Sequence, residues 1–151
     1  KEALFREAVI HYEENEGGFA IHALRQADIK DAISQLFQDA IKLYTQNNHS
    51  YGCMVVSSAS VLSQENQSLL DWMKQQRIER GQSLVKRFKQ AKADGQLLEH
   101  ADPEILGQYY GLVLHGLSVQ ARDGYSEQML VQIIDFSLKN LDQYLVSSSK
   151  A

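Results

Sequence analysis

Apolar residues recur three and four positions apart along most of the chain, which is the spacing of one face of an α-helix. The spacing predicts helices over 2–15, 29–46, 65–93, 103–122 and 127–146, and a short, largely buried helix over 52–62. Residues 19–27, which follow the Gly17-Gly18 break, form at most a short helix. The pattern therefore predicts an all-α bundle of about six helices.

The predicted helices carry start and stop signals. Asp28 and Ser126 are candidate N-caps, and Asp102 is followed by proline at the first helical position. Ser63 or Ser68 could cap the long helix, and Gly95 would end it as the glycine after its last turn.

Composition narrows the class of protein. With 151 residues, one proline and nine glycines, the chain is long enough for one buried core and poor in turn residues. A formal charge of −4 argues against a domain that grips DNA on its own. A single cysteine, the absence of a signal peptide and the absence of a long apolar run predict a soluble, cytoplasmic chain that does not enter a membrane.

The predicted helix 103–122 is apolar nearly all round, so it must be covered on every side. It could lie at the centre of the bundle. Alternatively, it and 127–146 could pack on a second copy as a twofold four-helix interface, with its glycines easing close approach. The candidate interface residues are Leu112, Gly116, Val119, Ile134, Leu138 and Leu141.

Four motifs, in order, resemble those of TetR-family (tetracycline-repressor-like) transcriptional regulators. The opening Lys1-Glu2-Ala3-Leu4-Phe5 is similar to the start of that family's connecting helix, and Tyr51-Gly52-Cys53 to the start of the helix before the long one. Ala93-Asp94-Gly95-Gln96-Leu97 is similar to the end of the long helix. Gly116-Leu117, continuing to Ala121-Arg122-Asp123-Gly124, is similar to the join between the last two helices.

The resemblance implies that residues 1–151 are a C-terminal ligand-binding and dimerisation domain, whose N-terminal helix-turn-helix head is absent from this sequence. It implies a homodimer whose two heads read two half-sites of operator DNA. An unidentified small-molecule effector would favour one helix arrangement, move the head through the helix at 2–15 and release the operator.

Arg77 is the most informative candidate for an effector site. On the long helix it and Gly81 interrupt an apolar stripe at its middle. We interpret this as a pocket in which the planar guanidinium could pair with an anionic ligand. The alternative is that Arg77 reaches solvent or pairs with a carboxylate of the same chain.

Further candidates for the pocket wall are apolar, aromatic or able to form hydrogen bonds, as ligand sites usually are. The alternative, that each is an ordinary core residue, stays open. These candidates are Met54, Trp72, Met73, Tyr110 and His115.

Other chemistry has little support in the sequence. The neighbours of Cys53 are apolar, so it is not predicted to be reactive. No metal site or cofactor is predicted, and no phosphate-binding loop, nucleophile elbow or paired-histidine zinc motif indicates an enzyme. The alternatives that stay open are a stand-alone dimeric interaction module without a ligand pocket and, in third place, a cofactor-free helical enzyme.

Overall fold

The computed structural model describes residues 2–46, 52–58 and 66–147, and these residues form seven α-helices. The helices are α1 (Glu2–Tyr12), α2 (Phe19–Ala23), α3 (Ile29–Thr45), α4 (Met54–Ser57), α5 (Gln67–Ala93), α6 (Pro103–Arg122) and α7 (Glu127–Leu141). The all-α prediction is confirmed.

Helix α3 is the centre of the core. Its predicted apolar stripe is buried along its whole length, from Ile29 to Tyr44. It packs against α2, α6 and α7, while α5 packs mainly against α6 and also contacts α3. Since α3 carries its apolar residues on one strongly segregated face, burying that face fixes where the surrounding helices lie.

Helices α5 and α6 approach each other closely at Gly107. A Cβ atom added there would lie 2.5 Å from the Cα of Val85, so only glycine allows this contact between the two backbones. One turn further on, a Cβ at Gly111 would meet Leu84 at an ordinary 3.7 Å. Gly107 thus serves close packing within the chain, whereas the sequence predicts that the glycines of this helix ease packing on a second copy.

The predicted caps are observed. Asp28 accepts hydrogen bonds from the amides of Lys30 and Asp31, and Asp102 accepts from the amides of Glu104 and Ile105 in the first turn of α6. Ser126 caps α7 by accepting from Met129. Gly95 follows α5 with a φ of 74°, the left-handed conformation that ends a helix most easily at glycine.

Three helix ends differ from the predictions. The first helix changes at residue 13 into a π-helical turn, Glu13–Gly17, and the last helix ends at Leu141 in a short 3₁₀ turn. After that turn Leu145 pairs with Leu97 in an isolated β-bridge, because Val146 donates its amide to the carbonyl of Gln96. Hydrogen bonds between two extended segments therefore replace the last predicted turn of this helix.

The start of the long helix also differs. Helix α5 begins at Gln67 after Asn66, and no side-chain cap bond is found there. Ser68 lies inside the helix and its hydroxyl accepts a hydrogen bond from Arg6. The other candidate cap, Ser63, and the end of the predicted helix 52–62 lie outside the described residues.

Within the described ranges, every helix is too short or too polar to cross a membrane.

Candidate functional site

A groove of about 450 Å³ lies between α5 and α6, on the side of their crossing where Arg77 and His115 lie. Its volume falls within the range of about 300–1,000 Å³ that small-molecule sites occupy. The glycine pair Gly81 and Gly111 leaves the space between the two helices, since neither has a side chain to fill it. The other lining residues are Lys74, Ile78, Gln82, Glu104, Gln108 and Leu112.

The groove presents more positive than negative charge. The negative charge of Glu104 is balanced by Lys89, whose Nζ lies 2.6 Å from the Glu104 carboxylate. Lys74 is exposed, and Arg77 is half-buried with a hydrogen bond of 3.4 Å to the carbonyl of Val55. That bond is near the outer limit for hydrogen bonds. The residues that the structure describes therefore use little of the donor capacity of the Arg77 guanidinium.

His115 lies on the α6 wall and is uncharged at neutral pH. Burial lowers its pKa, and the positive charges of Arg80 and Arg77 lower it further. A neutral imidazole can donate one hydrogen bond and accept another. The groove therefore offers a cation, a neutral polar group and apolar surface from Ile78 and Leu112.

The structure brings two of the six predicted ligand residues together in this groove, Arg77 and His115. Tyr110 lies in the core, stacked on Phe88 at 5.5 Å, and donates its hydroxyl to the carbonyl of Ser137. Met73 is also in the core.

The remaining two predicted ligand residues, Met54 and Trp72, are half-buried and lie outside the groove lining. The indole of Trp72 is covered by the guanidinium of Arg6, 4.9 Å from the ring centroid. Sequence reasoning missed the amides Gln82 and Gln108, since exposed glutamines on a helix carry no pattern.

A second cluster of polar groups surrounds Cys53. Arg80 donates to its Sγ at 3.2 Å and pairs with Glu13 at 2.8 Å. The hydroxyls of Tyr12 and Tyr44 also reach this thiol, and burial raises the pKa of both tyrosines. The sequence does not reveal this contact, because Arg80 lies 27 positions from Cys53. The residues beside Cys53 in the sequence are apolar and indicate no charged partner.

The outer surface of α6 and α7 is apolar. Large side chains are exposed on both helices, with Ile105 at 64%, Leu112 at 72% and Phe136 at 77%. The two helices are neighbours, since the hydroxyls of Tyr109 and Ser137 lie 3.3 Å apart. We call this surface the α6–α7 face; it comprises Ile105, Tyr109, Leu112, Val119, Met129, Ile133 and Phe136.

The residues predicted for the dimer interface fall into two groups. Leu112, Gly116 and Val119 lie on the exposed side of α6. On α7, Ile134 and Leu141 are buried in the core of their own chain, and Leu138 is half-buried against it. The outward side of α7 is formed instead by Ile133 and Phe136, which lie at the exposed edge of the same broad apolar stripe.

No group of three or more histidine, cysteine or acidic side chains that could hold a metal ion occurs within residues 2–46, 52–58 and 66–147.

Comparison with known proteins places this geometry among transcriptional regulators. A scan against models of protein families finds no match. The sequence is 23% identical over 114 residues to the HTH-type transcriptional repressor ComR of Escherichia coli (strain K12), which covers 76% of this chain. The chain spans about half the length of that repressor, 54% of it.

Solved structures agree more closely. The TetR family transcriptional regulator CifR, in a cysteine-substituted form complexed with a 26-base-pair operator DNA, superposes with a TM-score of 0.85 at 29% identity, over 91% of this chain and 73% of CifR. A protein of Rhodococcus sp. RHA1 assigned to the TetR transcriptional regulators shares the fold, with a TM-score of 0.70 at 23% identity, over 90% of this chain and 72% of its own. Sequence motifs, helix order and these likenesses agree, and the chain is similar in sequence and fold to transcriptional regulators of the TetR family.

Proposed function

We propose that the chain is the dimer-forming, effector-sensing domain of a cytoplasmic transcriptional repressor. In the longer protein a helix-turn-helix head, joined before α1, reads operator DNA, and a small molecule bound to this domain releases it. Operator binding by CifR and repression by ComR support this role. The single observation in this chain that carries it is the exposed α6–α7 face.

The α6–α7 face fits a second copy of the same chain. Single exposed apolar residues are common, but seven large ones on two neighbouring helices form a patch, and such patches mark interaction sites. A twofold axis through this face would pair each helix with its symmetry mate in a four-helix arrangement. Such an axis also supplies the two heads that a pair of half-sites requires.

Sedimentation equilibrium of the purified chain tests the dimer. We expect a dimer for the wild type and a monomer for Phe136→Glu and Leu112→Glu, since each places a charge in an apolar contact. Ile21→Glu is the matched control, because Ile21 is 60% exposed on α2, away from this face, and its replacement should leave the dimer intact. A wild type that stays monomeric at tens of micromolar would remove this basis for two-site DNA reading and favour a stand-alone interaction module.

The groove between α5 and α6 is the proposed effector site. Arg77 would hold an anionic group, while Ile78 and Leu112 would contact the apolar part of the ligand. The pairing of Glu104 with Lys89 keeps that carboxylate from opposing the anion. The ligand class that this combination favours is a small amphipathic carboxylate.

Octanoate and octanamide, which differ in charge but hardly in shape, form a probe pair for isothermal titration calorimetry. We expect octanoate to bind more tightly, and Arg77→Gln to reduce the difference between the two probes by about tenfold, the worth of one charge-assisted hydrogen bond. Arg25→Gln, which removes an exposed guanidinium elsewhere, is the control. Equal affinity of the wild type and Arg77→Gln for octanoate would exclude this role of Arg77.

A further inference from the structure

The π-helical turn Glu13–Gly17 joins α1 to the rest of the domain. Such turns contain one residue more than an α-helix would over the same length, and they occur often at functional sites. Conversion of the turn to regular α-helix would therefore rotate α1 about its axis relative to α2 by the angle of one residue, about 100°.

Helix α1 is weakly anchored by apolar contacts. Val9 is its one completely buried side chain, and Leu4 is 71% exposed. Two polar contacts with α5 supplement this packing. Near the start of α1, Arg6 donates to the carbonyl and hydroxyl of Ser68; at its end, Arg80 pairs with Glu13 of the π-helical turn.

The contact at the π-helical turn is built more closely than an ordinary surface ion pair. Both side chains are about two-thirds buried, with 31% of Arg80 and 28% of Glu13 exposed. A Cβ at Gly17 would lie 3.3 Å from Nη2 of Arg80, so the absence of a side chain there leaves room for the guanidinium. The second nitrogen of the same guanidinium donates to Cys53, which directly precedes α4.

Arg80 is also connected to the groove. It lies one turn from Arg77 on α5, and both cations act electrostatically on His115 in the opposite wall. One side chain thus contacts the π-helical turn and the start of α4, and it lies within electrostatic range of the groove.

We propose that Arg80 locks the π-helical turn, and that release of its ion pair with Glu13 lets α1 rotate. This proposal rests on the proposed function, in which α1 carries the DNA-reading head. When the lock opens, the orientation of α1 changes. Arg80 is a positioning residue, since it sets the geometry of α1 without contacting DNA.

Hydrogen exchange followed by mass spectrometry on the purified chain tests the lock. We expect amides of residues 13–18 to exchange about fivefold faster in Glu13→Gln and in Arg80→Gln, as the loss of a partly buried ion pair implies. Arg80→Lys, which keeps the charge but not the fork, should give an intermediate rate because it cannot hold Glu13 and Cys53 together.

Two controls separate a lock from general loss of stability. Arg6→Gln removes the other polar contact of α1 and should speed exchange only near Ser68 and the start of α1. Lys30→Gln removes the pair with Asp142 and should leave residues 13–18 unchanged. A rise of similar size in α3 and α7 would show that Arg80 only stabilises the fold.

The single thiol gives a second measurement on the same variants. Cys53 is 1% exposed, and its thiol accepts a hydrogen bond from Arg80. Opening of the lock in Glu13→Gln, which leaves Arg80 in place, should speed its reaction with Ellman's reagent several-fold. Unchanged exchange and unchanged labelling in Glu13→Gln would overturn the proposal. Neither measurement involves DNA or octanoate, so the lock and the proposed function can fail separately.

Discussion

At the scale of single residues, the glycines of this domain have different roles although they look alike in sequence. Gly107 is required by contact with the backbone of Val85, whereas a Cβ at Gly81 would meet no atom within 4 Å. Gly107 allows α5 and α6 to pack closely, whereas the missing side chain of Gly81 leaves space in the groove.

Substitution of these two glycines should therefore change stability in opposite directions. We expect Gly107→Ala to lower the free energy of unfolding by about 1–3 kcal/mol through overpacking. Gly81→Ala should raise it by about 0.5–1 kcal/mol, because alanine restricts the unfolded chain and suits a helix interior. Urea unfolding of both variants measures this, and equal effects would contradict the assigned close contact.

His115 should make stability depend on pH. Its pKa is lower in the folded chain than in the unfolded chain, so the unfolded state takes up the proton first as the pH falls. The stability that neutral His115 contributes is complete above the unfolded pKa of about 6.5 and is lost as the pH falls through the folded pKa.

Urea unfolding at several pH values between 5 and 8 checks this, with His115→Gln as the comparison. The wild type should lose more stability than the variant on acidification. Parallel profiles for the wild type and His115→Gln would contradict the inferred direction of the pKa shift.

At the scale of elements, helix positions could be predicted from the sequence because periodicity and capping are local. Asp28, Asp102, Ser126 and Gly95 act where the sequence places them. The π-helical turn could not be predicted, since Glu13–Gly17 continues the polar side of α1 without a recognisable signal.

Contacts between distant elements were also beyond sequence reasoning. On α7 the apolar stripe is broad, and periodicity alone could not tell that Ile134 faces the core while Ile133 faces outward. Arg77 and His115 were found because a polar residue in an apolar stripe is visible in sequence. Arg80 was not, because its partners Glu13 and Cys53 come together only in the fold.

Helix α4 is tied to α6 by one buried hydrogen bond, in which the amide of Cys53 donates to the hydroxyl of Ser118 at 2.7 Å. We expect Ser118→Ala to lower the free energy of unfolding by about 1–3 kcal/mol, because the buried amide loses its acceptor. The matched control is Ser83→Ala, whose hydroxyl bonds to a carbonyl of its own helix at the surface and whose loss should change stability by less than about 0.5 kcal/mol. Thermal unfolding followed by circular dichroism compares the two.

At the scale of the whole molecule, a second copy bound to the exposed α6–α7 face would couple folding to association. If the face is covered by a second copy, part of the apolar surface that stabilises the native state is buried only in the dimer. The measured stability then depends on protein concentration, whereas that of a monomeric protein does not.

We therefore expect the midpoint of thermal unfolding to rise by about 2–4 °C for each tenfold increase in concentration. The same series with Phe136→Glu should show no such rise, and Ile21→Glu should behave as the wild type. Calorimetric scans at concentrations spanning two decades provide the measurement. A wild-type midpoint independent of concentration would argue that the native state is monomeric.

The cover of Arg6 over Trp72 also has an optical consequence. Trp72 is the one tryptophan of the sequence, so the intrinsic fluorescence of the protein comes from a ring whose exposure depends on where α1 lies. If α1 moved away, water would reach the indole and the emission maximum would shift to longer wavelength. Without any attached dye, the wavelength of this emission would report the position of α1 in real time.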